Sequence, residues 1–110
     1  MAVTEITEIY ELDRMIRKHN RVVAYFTTRQ SWSFAQMHLE LIRLSSEFRN
    51  IEYLLVDVDL VPYVSATYRI PRLPVLISFR DGLEVDSLET DTIDELQDAF
   101  ICLDAMEGRF

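Results

Sequence analysis

The chain has 110 residues, 49% of them apolar and 27% charged, with one cysteine and a formal net charge of −8. That length fits one domain with a sizeable core, that composition excludes disorder, and the longest apolar runs, such as Tyr53-Leu54-Leu55-Val56, are far too short to span a bilayer. A lone cysteine excludes an intramolecular disulfide and fits a reducing compartment. Because no basic-then-apolar leader follows Met1, the expected location is the cytoplasm.

Val3 to Ile6 alternates apolar and polar residues, the pattern of a short opening strand. Thr7 is placed to cap a helix over about residues 8–19, whose inward positions are Ile9, Leu12, Met15 and Ile16. Its acids come early and its bases late, as the helix dipole favours. Arg21 to Thr27 is a continuous β-prone run, the mark of a strand covered on both faces. A second helix is expected from Ser33 to Phe48, striped by Phe34, Met37, Leu41, Leu44 and Phe48, with Ser33 and Gln36 spaced as a capping box.

Ile51 to Asp57 reads as another buried strand. Asp59 is then placed to cap a short helix that holds Pro62 in its first turn and ends near Tyr68. Val75 to Phe79 and Leu83 to Leu88 are strands joined through Asp81-Gly82, a hairpin signal. Thr92 to Leu103 closes the chain as a helix with Ile93, Leu96, Phe100 and Ile101 inward, and residues 104–110 are expected to fray. The expected architecture is α/β: a mixed sheet of about five strands in the order β-α-β-α-β-α-β-β-α, flanked by four helices in a single domain over 1–110.

Charge is uneven along this order. Residues 81–110 carry ten acids against one base, whereas residues 1–80 carry nine acids and ten bases. Such an acidic third repels phosphate backbones and anionic lipid, so neither nucleic acid nor membrane is an expected partner. It serves either as a solvated face or as a docking surface for a basic protein.

Asp57-Val58-Asp59, the stretch Tyr68 to Gly82 with its Ile70-Pro71-Arg72-Leu73-Pro74 loop, and Val23 to Thr28 together resemble the thioredoxin-like superfamily over nearly the whole chain. The resemblance implies a cis-proline at Pro74. It also places Ser31-Trp32-Ser33-Phe34 where the family carries Cys-Gly-Pro-Cys, Tyr25 where it has a buried acid, and Glu89-Thr90 near a loop glycine. Dithiol exchange needs a thiolate nucleophile and a second, resolving thiol. Neither Ser31 nor Phe34 supplies one, so the resemblance implies a redox-inactive member with no cofactor.

Its expected role is that of a protein-binding, adaptor or chaperone-like module, with a homodimer as a variant. The surfaces are the vestigial groove (Trp32, Pro71, Leu73, Pro74, Glu89, Thr90) and the acidic third. Trp32 either anchors a peptide or packs over Pro71 or Tyr63, and Leu73 offers main-chain groups to an extended peptide. The alternative is a thiol-dependent or glutathione-linked enzyme using Ser31 or Cys102. Against it, Ser31 and Ser33 fit helix capping and Cys102 fits burial. His19 and His38 stand on separate helices, and no metal site is expected.

Overall fold

In the computed structural model, residues 3–61, 63–70 and 72–107 are described, with the backbone alone over 102–107. Five strands and four helices follow in the order β1 (Thr4–Ile6), α1 (Ile9–Lys18), β2 (Arg21–Thr27), α2 (Phe34–Glu47), β3 (Glu52–Asp57), α3 (Val64–Thr67), β4 (Val75–Arg80), β5 (Leu83–Glu89) and α4 (Ile93–Glu107). They form one mixed sheet, as expected, and its strands lie in the spatial order β1-β3-β2-β4-β5. β1, β3 and β2 run parallel, while β4 is antiparallel to β2 and β5 antiparallel to β4.

The period of two along each central strand divides the core. Val22, Ala24 and Phe26 of β2 pack on one face with Leu12 and Ile16 of α1 and Val64 of α3. Val23 and Tyr25 face the other way, onto Met37, Leu41 and Leu44 of α2 and Leu96 and Phe100 of α4. There the Phe100 ring stacks on Tyr53 at 5.7 Å and tilts against Phe48 at 5.6 Å. Each large apolar side chain buried this way contributes about 1.5–3 kcal/mol, which is why the helices settle on these faces.

Local signals fared differently from the periodicity. Asp81 and Gly82 have φ of 52° and 85°, the paired left-handed residues of a type I′ turn, and they close β4 onto β5. The helix caps depart from expectation. Thr7 does not cap α1. Glu8 holds the N-cap position without a side-chain bond, and the Thr7 N–H donates to the Glu11 carboxylate at 3.3 Å. Ser33 is the N-cap residue of α2 but makes no side-chain cap bond, so the box with Gln36 does not close.

Asp59 does not cap α3. That helix starts later, after Tyr63 at φ 69°, and the Asp59 carboxylate accepts the Thr28 hydroxyl at 2.5 Å instead. Ile101 is exposed rather than inward, because five residues past Leu96 it is turned about 140° around the helix. Residues 104–107, expected to fray, continue α4, while 108–110, like Pro62, lie outside the described residues.

Candidate functional site

The parallel pairing of Thr27 with Asp57 and the antiparallel pairing of Phe26 with Val75 bring three loops to one end of the sheet. They are the 28–33 loop before α2, the 58–63 loop before α3 and the 72–74 loop before β4. The loop ahead of α4 joins them, since the Thr90 N–H donates to the Pro74 carbonyl at 3.2 Å. The Leu73–Pro74 peptide bond is cis.

The 28–33 loop is a wound turn. The Ser31 N–H reaches the Thr28 carbonyl at 2.9 Å, and the Phe34 N–H reaches the Ser31 carbonyl at 3.1 Å. The hydroxyls of Ser31 and Ser33 lie 3.1 Å apart, and Ser33 is buried. Phe34 folds toward the α2 side of the core. Of the four residues in the expected vestigial stretch, Trp32 alone stands well out, 74% exposed.

Beneath this loop a charged tie holds the turn in place. Asp57, buried at the end of β3, accepts the Asp59 N–H at 3.0 Å and the Arg29 N–H at 3.4 Å, and its carboxylate also lies 3.4 Å from the Arg29 Nε. Arg29 reaches Glu5 of β1 as well, and its guanidinium carbon sits 5.0 Å from the Phe34 ring centroid. Exposed ion pairs are worth little, but a buried carboxylate with three donors fixes the loop relative to the sheet. The sequence marks Asp57 as a strand end and, beyond an Asp-x-Asp closing that strand, gives no local sign of its tie to Arg29.

In the 72–74 loop Leu73 is 40% exposed, and its main-chain N–H and C=O make no hydrogen bond among the described residues. Tyr63, 82% exposed, and Leu60, which the sequence did not point to, add two large apolar side chains at this end of the sheet. Trp32 and Tyr63 are thus both open to solvent, while Pro71 lies outside the described residues. Thr90, expected to face a partner, is 4% exposed and fully engaged. Its carbonyl accepts the Tyr25 hydroxyl at 2.7 Å, and its own hydroxyl donates to Glu95 at 2.6 Å. Glu89 beside it is exposed. Burial, with the nearby Asp91 charge, pushes the Tyr25 phenol up, so it stays a neutral donor.

Among the described residues no base accompanies the Ser31 hydroxyl. His19 is at the far end of the sheet, 3.8 Å from Glu52, and His38 rests its ring on Phe34. Cys102 lies on α4 with its side chain outside the described residues. It follows Ile93 by nine residues, about 13 Å along the helix away from the loops. Among the described residues no group of three His, Cys, Asp or Glu could hold a metal ion, and no helix is long and apolar enough to cross a membrane. A groove of about 530 Å³ at the opposite end is lined by Lys18, Arg21 and Arg49 among others. Lys18 and Arg49 lie at or just beyond the C-termini of α1 and α2, where cations complement the helix dipole.

No family model matches the chain. It is 28% identical over 88 residues to thioredoxin-2 of Pyricularia oryzae, covering 80% of this chain and 52% of that protein. It is 28% identical over 89 residues to monothiol glutaredoxin-S17 of Arabidopsis thaliana, covering 79% of this chain and 18% of that one. The chain therefore spans about half the length of the first relative and about a fifth of the second. The oxidised thioredoxin of Plasmodium falciparum matches with a TM-score of 0.85 at 21% identity, over 89% of this chain and 94% of that one.

Sheet order, helix placement and these likenesses define a thioredoxin-like fold. In sequence the chain is similar to thioredoxin and glutaredoxin relatives, and with a single cysteine it has no Cys-x-x-Cys pair.

Proposed function

We propose that this chain is a redox-inactive, non-enzymatic module that binds a protein partner at the loop end of its sheet, in the manner of an adaptor or assembly factor. The observation that carries this reading is the exposure of Trp32, Tyr63, Leu60 and Leu73 on three neighbouring loops where a dithiol would otherwise work. Clustered exposed apolar side chains are costly to leave in water, and Trp and Tyr are the residues that most often anchor interfaces. Leu73 adds main-chain groups that an extended peptide can pair with. Pro74 and exposed Glu89 border this surface, and the acidic third supplies a flank of one sign for a basic partner.

The thiol-dependent alternative has less support. Ser31 is tied to Ser33, and Cys102 sits well down α4 from the loops. The reading places no demand on a cofactor and fits a cytoplasmic protein.

Capture of partner proteins from lysate with the wild-type chain and with Trp32→Ala tests it. The expected result is loss of a specific bound protein in the variant, with insulin reduction no faster than for Cys102→Ser. Equal capture by both chains, or thiol-dependent turnover above the Cys102→Ser control, would overturn it.

A further inference from the structure

We propose that the open edge of β5 accepts an extended, basic segment of a partner protein as a sixth strand, along Asp86 to Glu89. The proposal rests on the protein-binding reading above and gives its acidic side a partner chemistry and a mode of contact.

β5 is the last strand of the sheet and, among the described residues, pairs with β4 alone. Its outer row of N–H and C=O groups is therefore available to another extended chain. All of its side chains are exposed except half-buried Leu88. A register shift opposite Ser78 and Phe79 leaves Val85 without a partner on β4 and interrupts the regular edge there. The uninterrupted part is Asp86 to Glu89.

Beside that part lies a groove of about 260 Å³. Val75, Ile77 and Tyr68 supply apolar surface, while Glu84 and Glu89 supply carboxylates. The pairing of Ile77 with Ser87 and of Val75 with Glu89 is what sets the strand against this floor. A lysine or arginine fits such a groove, with its methylene stem on the apolar surface and its charged head at the carboxylates. Arg69 also lines the groove, so an incoming cation must displace or share its field.

Charge decides between possible strands. β5 carries Glu84, Asp86 and Glu89 with no base, and Asp81 and Asp91 flank it. A second copy adding through its own β5 would set carboxylates against carboxylates, a destabilising arrangement. A neutral strand would leave three acids uncompensated. A basic strand matches both the edge and the groove.

The test uses a fluorescent, end-blocked peptide of alternating lysine and valine, titrated by anisotropy against the whole chain. A control peptide of equal charge has proline in place of alternate valines. We expect the lysine–valine peptide to bind and to slow amide exchange on β5. The proline control should bind at least about tenfold more weakly, because its missing N–H groups break the ladder.

The exposed double variant Glu84→Lys/Glu89→Lys should weaken binding about tenfold, whereas Trp32→Ala should leave it within about twofold. No binding, equal binding of the proline control, or undiminished binding to the charge-reversed chain would overturn the proposal. None of those results bears on partner capture through Trp32, so the two readings fail separately.

Discussion

Tyr25 fills the position where resemblance to the thioredoxin-like superfamily places a buried acid, and its hydroxyl spans from β2 to the Thr90 carbonyl. A proton acceptor is thereby replaced by a donor that ties the loop before α4 to the sheet. Removing that hydroxyl leaves a buried carbonyl without its donor, which costs about 1–3 kcal/mol. Tyr25→Phe is therefore expected to lower the unfolding free energy by that amount, read as a lower urea midpoint with an unchanged slope. An unchanged midpoint would mean that the carbonyl finds another donor. Trp32 and Tyr63 show the opposite economy: large side chains left open, whose truncation should cost stability little and binding much.

At the scale of elements, α2 and α4 are joined by a clamp that the apolar stripe did not announce. Glu40 lies three residues past Met37 on the inward face, nearly buried. It accepts Arg43 through Nε at 3.0 Å and through a second guanidinium nitrogen at 2.5 Å, and Gln97 of α4 at 2.9 Å. The Arg43 hydrogen bond leads in holding its carboxyl below the ordinary carboxylate value, against the opposing effect of burial, and Gln97 assists. A depressed folded pKa stabilises the protein above the unfolded value, about 4.3, and that contribution is lost as pH falls through the folded value. Glu40→Gln should therefore flatten the acid limb of the stability profile below about pH 4.3, measured by denaturant unfolding at stepped pH. A limb as steep as in the wild type would show that the clamp contributes nothing.

Across the whole molecule, Tyr25, Tyr53 and Tyr68 hold phenols pushed up first by burial, with the Asp13 hydrogen bond adding to the effect at Tyr68. The unfolded chain ionises tyrosine near pH 10, before the folded chain can. Their contribution is intact below that pH and lost as pH rises beyond it, so stability should decline on the alkaline side. Tyr53→Phe, which gives up bonds to the Leu44 and Phe48 carbonyls, should make that decline shallower. A decline of unchanged steepness would assign it to other groups. Charge is also uneven globally: acids concentrate in the sequence of β5 and α4, while Lys18, Arg21 and Arg49 line the groove where α1 and α2 end.

Periodicity in the chain was enough to specify the elements and the layered sheet, because burial follows the repeat of side chains along a helix or strand. Asp81-Gly82 was equally legible, since few other pairs tolerate two successive left-handed residues. Thr7 and Asp59 do not cap because α1 and α3 start one or more residues later than the local signal places them, whereas Ser33 holds the N-cap position of α2 without making the side-chain bond. That Trp32 and Leu73-Pro74 lie in loops between elements was readable from the sequence. Tertiary structure alone decided the content of the site. Strand pairing brought Tyr63 and Leu60 to the same end, turned Thr90 inward, and closed Asp57 on Arg29 across 28 residues of chain. Those contacts are distant in sequence, and no local pattern records which loops a sheet will bring together.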